Sequence, residues 1–288
     1  MRLRTIVLAS FGLAAMAAFV EVAQAQEAAQ RPSLQQQRAV SGLNGKFSLE
    51  GGAIGSNSAG SSALAIAQGS ITAPLGNSFG LQVDGGGAQA FDTFVGGGAA
   101  HLFWRNPQIG LVGPIVALMA GGGATIARYG GEAELYKGIF TLRALAGYQS
   151  ASLPSGPAPN GGFWQGRVIV YPIDDLALSV GGGQSAGFST GRATLEWQPD
   201  FVATHNVSLF VDSSVGDDAS WRVTSGVRFY FGPEKTLIRR QREDDPDTEF
   251  DCEMQISGFS DIGDSKRKGY EDQIKATQDP RRLPGLFR

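Results

Sequence analysis

The sequence predicts an all-β fold, a closed antiparallel barrel of about twelve strands that crosses a membrane, followed by a charged, disordered tail. Three observations predict it. Apolar and polar residues alternate with a period of two from Leu43 to Phe231. The tryptophans fall close to predicted strand ends, on the apolar faces. Beyond the N-terminal segment there is no apolar run of about 18 residues, so no membrane helix is expected. The 41 glycines lack collagen periodicity and suit an all-β chain rich in turns. A formal charge of −3 gives no electrostatic case for nucleic acid.

The elements follow in order. Arg2 and Arg4 precede an apolar stretch from Ile6 to Val20 and a small-x-small site at Ala23-Gln24-Ala25, which reads as a secretory signal peptide over 1–25. Its alternative is an uncleaved anchor helix, for which the apolar core is short. Residues 26–42 form a lead-in rich in Gln and Ala, with no visible chemistry and a possible use as a plug. The barrel is expected over 43–231. Its strands lie near 43–53, 62–73, 79–88, 93–105, 109–120, 125–136, 139–150, 163–172, 176–185, 188–198, 206–214 and 220–231. One set of connections is turn-like, as at Pro74–Asn77 and Tyr136–Gly138; the other is Gly- and Ser-rich and longer, as at Ala151–Gly162. Short turns on one side and longer loops on the other is the layout of a membrane barrel.

A soluble sandwich also alternates, so aromatic placement has to decide between the two. Trp164, Trp221 and Tyr148 sit at the loop side, and Trp104, Trp197, Phe229 and Phe231 at the turn side, with Phe79 and Phe140. Two aromatic girdles around an aliphatic band suit lipid, where amphipathic rings prefer the interfaces. In lipid every backbone polar group must be paired within the protein, so the last strand must close on the first.

That last strand carries Thr224-Ser225-Gly226-Val227-Arg228-Phe229-Tyr230-Phe231. Thr224, Gly226, Phe229 and Phe231 resemble the terminal-strand assembly signal of Gram-negative outer-membrane β-barrels, and the resemblance spans Leu43 to Phe231 at the level of architecture. It implies a porin-like protein of the outer membrane whose partners are membrane lipid, the assembly machinery and small polar solutes.

On this map the lumen receives Lys46, Arg128, Arg143, Arg167, Arg192, Arg222 and Arg228, with Glu50, Asp84, Glu132, Glu134, Glu196 and Asp212. Glu132 is expected across from Arg143, and Asp212 across from Arg222. Acids and bases nearly balance, so no strong ion selectivity follows. A narrow channel for small polar solutes and a plugged barrel zipped by its own charges fit equally, since twelve strands fall between filled and open barrels.

The glycine clusters at 85–87, 96–98, 121–123 and 181–183 read either as turns, the favoured choice, or as bends in the wall. Two strands depart from the pattern. The fifth is apolar on both faces and holds Pro114, and the second lacks a polar inner face. Either something packs inside there, or the strand count is off by two.

No catalytic residue, metal site or cofactor is expected. His101 and His205 lack a readable Ser or Asp partner, and two histidines do not furnish a zinc site. A lipid-modifying enzyme is the lesser alternative, and adhesion through the loops ranks below it.

Residues 232–288 are dense in charge, as at Arg239-Arg240 and Glu243-Asp244-Asp245, and read as a disordered periplasmic tail. A link to peptidoglycan or a periplasmic partner is its alternative use. The single cysteine, Cys252, offers no internal disulfide, so stability rests on closure and packing.

Overall fold

The computed structural model describes residues 38–57, 60–152, 160–185, 187–199 and 206–247. The expected signal peptide (1–25), His205, Cys252 and residues 248–288 lie outside them. Within them the chain forms the expected twelve strands, each paired antiparallel with its neighbours in sequence, and the sheet closes where β1 (Asn44–Ser56) meets β12 (Trp221–Phe231). Closure runs from Gly45 opposite Phe231 to Gly55 opposite Trp221, so the terminal strand is paired along its whole length and no edge remains.

The other strands are β2 (Gly60–Leu75), β3 (Phe79–Ala90), β4 (Thr93–Asn106), β5 (Gly110–Gly121), β6 (Ala124–Lys137), β7 (Phe140–Ser152), β8 (Gly161–Ile173), β9 (Leu176–Ser185), β10 (Phe188–Trp197) and β11 (Val207–Gly216). The two ends of the barrel do not differ as expected. Two-residue connections occur at both ends, such as 91–92 and 138–139, and the longest, 153–160 and 198–206, lie at opposite ends.

The wall is inverted relative to a soluble protein. Outward positions carry Leu49, Ile71, Val83, Phe94, Val116, Leu142, Val180 and Val211, all exposed, with Phe94 at 62%. A soluble monomer rarely exposes a contiguous apolar surface of more than a few hundred Å². Inward positions instead bury Lys46, Asp84, His101, Arg128, Glu132 and Arg222. Lipid outside and a polar lumen inside explain both at once.

The residues named as girdles, Trp104, Tyr148, Trp164, Trp197, Trp221, Phe229 and Phe231, all face outward and are exposed. Trp221 and Phe229 lie on one face of β12. Eight steps of about 3.4 Å, at a tilt of about 40°, place them roughly 21 Å apart along the axis, close to the height of a lipid-facing band.

The fifth strand owes its two apolar faces to local packing. Pro114 faces lipid, and the β4–β5 pairing lapses between His101–Ile115 and Trp104–Val112, then resumes in the same register. Proline supplies no N–H at that step, and the ladder tolerates one gap. The inward residues of β5 are buried by neighbours. Leu111 packs with Phe103 and with Val40 from the lead-in, Ile115 with Leu145 and Phe163, and Met119 with Leu64, Ile66, Ala88, Ala90 and Val95. The last of these clusters also accounts for the apolar inner face of β2.

Three of the four glycine clusters lie inside strands, contrary to the favoured turn reading. Residues 85–87 pair directly with 96–98 on the next strand. A Cβ at Gly97 would stand 2.2 Å from the Leu118 carbonyl oxygen, so glycine is needed where the wall comes this close to itself. Only 121–123 makes a turn, with Gly122 and Gly123 at φ of +56° and +84°.

Candidate functional site, the barrel lumen

All thirteen charged residues assigned to the lumen occupy inward positions of their strands: Lys46, Glu50, Asp84, Arg128, Glu132, Glu134, Arg143, Arg167, Arg192, Glu196, Asp212, Arg222 and Arg228. Ten of them fall into two sets of polar contacts, while Arg128 donates to Gln149 (2.9 Å) and Ser185 (3.3 Å), and Lys46 and Arg167 meet the tail. The first runs across β2 to β7. Thr72 donates to Gln82 (2.8 Å) and Gln82 to Asp84 (2.7 Å). His101 lies between Asp84 (3.0 Å) and Glu132 (2.8 Å), and Arg143 reaches Glu132 (3.5 Å) and Glu134 (3.6 Å). Each ring nitrogen of His101 faces a carboxylate oxygen, so the ring ties Asp84 to Glu132 across the inner wall.

The sequence shows no readable Ser or Asp partner for His101. Its partners lie 17 and 31 residues away, on the adjacent β3 and on β6, two strands over. Only the register could have brought them together.

The second network runs across β10, β11, β12, β1 and β2. Asp212 accepts from Arg192 Nε (2.7 Å), Thr194 (2.9 Å) and Arg222 (2.6 Å). Glu196 accepts from Ser208 (2.5 Å), Arg228 (2.6 Å) and Tyr230 (2.5 Å), and Glu50 from Gln68 (2.9 Å) and Thr224 (3.1 Å). Both ion pairs read from the sequence form, but on the diagonal. The residue directly opposite Arg143 is Glu134, and the one opposite Asp212 is Thr224.

The tail changes the site most. Its first part, 232–247, is not a free appendage: it folds back across the turn-side mouth and into the lumen. A short helix, α1 (Leu237–Glu243), lies over the mouth. Leu237 is fully buried against Ile169, Tyr171, Ala177 and Tyr230, with Ile238 beside it. Ile238 N–H donates to the Asp174 carbonyl (3.0 Å) in the β8–β9 turn. On the other side of the helix, Arg242 donates to the carbonyls of Gly138 (3.0 Å) and Phe140 (2.7 Å) and to the Thr141 hydroxyl (3.2 Å). Arg240 is buried over the Tyr230 ring at 4.3 Å and donates to Asn206 (3.1 Å).

Beyond the helix the chain enters the barrel. Lys46 of β1 holds Asp245 (2.9 Å) and donates to the Pro246 carbonyl (2.9 Å). Asp247 accepts from Arg143 (3.1 Å) and from Arg167. Burial opposes ionisation of Asp247, but Arg167, Arg143, Lys46 and Arg192 outweigh it and hold the carboxyl well below its ordinary range. Burial also raises Asp245, and Lys46 offsets this only in part. The lead-in contributes at the same mouth, where Ala39 N–H donates to the Asn77 carbonyl (2.8 Å), and Ser41 bonds Asp244.

Beside the strap the lumen keeps a polar cavity of about 60 Å³, lined by Lys46, Glu50, Arg167, Arg192, Arg228 and Asp247 among others. A cavity of that size holds a few waters and not a hydrated solute. The one clue to the strap in the sequence was Leu237-Ile238, an apolar pair inside a charged run.

These features define a class, a twelve-stranded transmembrane barrel with a charged lumen whose turn-side mouth is filled by its own C-terminal segment. Among solved structures it is similar to the KdgM porin in complex with disordered oligogalacturonate, with a TM-score of 0.49 and 12% identity over 64% of this chain and 98% of that one. It is also similar to the NanC porin, with a TM-score of 0.48 and 9% identity over 64% of this chain and 98% of that one. A third likeness is to the Salmonella typhi outer membrane phospholipase, solved as a dimer with bound calcium, with a TM-score of 0.45 and 12% identity over 69% of this chain and 94% of that one. The likeness to all three is one of barrel outline. No family model and no curated protein matches the sequence.

Proposed function

We propose that the chain is an exported, porin-like barrel of the Gram-negative outer membrane, that it passes small polar solutes, and that its C-terminal strap closes it at rest. The observation that carries this reading is the strap itself. Leu237 seats its helix in an apolar cluster at the mouth, but inside the lumen the strap meets the wall through ionic and hydrogen-bonded contacts, which water and solute can replace. Residues 1–25 serve export, and the strap reaches the lumen from the periplasmic side. Thr224, Gly226, Phe229 and Phe231 serve recognition by the assembly machinery. The reading is non-enzymatic: the acids and His101 act as cross-strand ties.

Planar-bilayer recording tests the reading. The full chain should open rarely, and Leu237→Asp, which places a charge in the apolar seat of the helix, should raise open probability at least about tenfold. Silence in both proteins would contradict a channel.

A further inference from the structure

The register places Arg143 of β7 directly opposite Arg167 of β8. Arg167 lies opposite Gly181 of β9, which lies opposite Arg192 of β10. Three arginines thus share one lateral row of the inner wall, with a side-chain gap at Gly181. Like charges directly opposite across two strands destabilise a sheet unless something neutralises them. The wall neutralises Arg192 with Asp212, and Arg143 leans toward Glu132 and Glu134 at 3.5 and 3.6 Å. The facing Arg143–Arg167 pair is bridged by Asp247, which comes from the strap and not from the wall. Beside this bridge lies a cavity of about 30 Å³ lined by Arg143, Arg167, Arg192, Gln165 and Thr190.

We infer that the Arg143–Arg167 pair is an anion-binding site of the lumen, that Asp247 is its tethered occupant, and that the free ligand is a small oxyanion of the carboxylate or phosphate type. The chemistry is that of guanidinium donors converging on acceptor oxygens. Free oxyanion and strap compete for the same donors, so anion binding and release of the strap are one equilibrium. This inference rests on the channel reading for its purpose, but the site can be measured without conductance.

The test uses full-length protein in detergent micelles, with succinate and inorganic phosphate as probes. Equilibrium dialysis compares the natural chain with Asp247→Asn and with Asp247→Asn combined with Arg167→Gln. A short tether supplies its carboxylate at roughly millimolar effective concentration, so Asp247→Asn should tighten probe binding about tenfold or more. Adding Arg167→Gln should remove that gain. In the natural chain, saturating probe should speed trypsin cleavage at Arg239, Arg240 and Arg242 as the strap leaves.

Tighter binding of succinate than of phosphate assigns the site to carboxylates, and the reverse assigns it to phosphates. Equal binding by all three proteins, with strap cleavage insensitive to probe, overturns the inference. If bilayers stay silent while binding follows Asp247 and Arg167, the site stands and the channel reading falls.

Discussion

Two parts of the lumen are built from opposite materials. Toward the loop side the inner face of β2 to β5 is apolar, while Arg128 and the Arg222–Asp212 pair keep charge elsewhere at that end. Leu64, Ile66, Ala88, Ala90, Val95 and Met119 form one buried cluster, joined by Ile54 and Phe91. Toward the turn side the wall is charged, and the strap meets it through Lys46–Asp245 and Arg143–Asp247–Arg167. Apolar packing is non-directional and is lost only when the wall itself deforms. Buried ion pairs depend on keeping both partners, and removing one leaves an uncompensated charge. The apolar part can hold the barrel's shape, while the charged part is where, on the proposed reading, the strap docks and leaves.

Four predictions break or sharpen that contrast. The largest effect is expected from Lys46→Ala, which leaves Asp245 buried without its cation. It should cost strap docking about 3–5 kcal/mol, read as faster trypsin cleavage at Arg239–Arg242 while the folded barrel persists. Next, Met119→Ala should cost the barrel about 2–4 kcal/mol in urea unfolding and leave strap cleavage unchanged, because the cavity opens in the other part. If Met119→Ala frees the strap as readily as Lys46→Ala, the two parts are not independent.

A smaller effect is expected in the β3–β4 turn, where Phe91 and Asp92 sit at φ of 47° and 56°. Asp92→Gly relieves left-handed strain and should raise stability by about 0.5–1 kcal/mol without touching the lumen.

The smallest effect concerns pH. The docked Asp247 is depressed from its ordinary 3.8, so its contribution is complete above that value and is lost only as pH falls below it. Glu243 behaves likewise: burial opposes its charge, but the bonds to Arg239 and Lys235 prevail. Asp245 is raised, so falling pH relieves a penalty and favours docking. Lowering pH from 7 to 5 should therefore not raise open probability, and a steep opening over that range would be evidence against this placement of charges.

Much of the wall was legible in the sequence because a barrel strand alternates strictly. Phe229 and Arg228 must face opposite ways wherever the ladder puts them. Partners were less legible, because they depend on register between strands and a shift of one residue flips every face. His101 illustrates this: its acids are on β3 and β6, and nothing near His101 in the chain signals them. The glycine clusters misled for a related reason, since a glycine that eases a turn and one that lets two strands approach look alike in one dimension. The strap was hidden by composition. Its charges suggest a solvated tail, yet Asp245 is buried against Lys46 of the wall, Asp244 against Lys235 of the strap, and Arg240 over the Tyr230 ring.

On the proposed reading the strap, rather than the wall, closes the barrel. A reversible lock tests this most directly. With Cys252 replaced by Ser, cysteines at 174 and 238 would join α1 to the β8–β9 turn, where the two backbones already share a 3.0 Å hydrogen bond. Single-channel recording should show no openings when the disulfide is formed, and openings on addition of reductant to the same patch. Identical conductance in the oxidised and reduced states would contradict the claim.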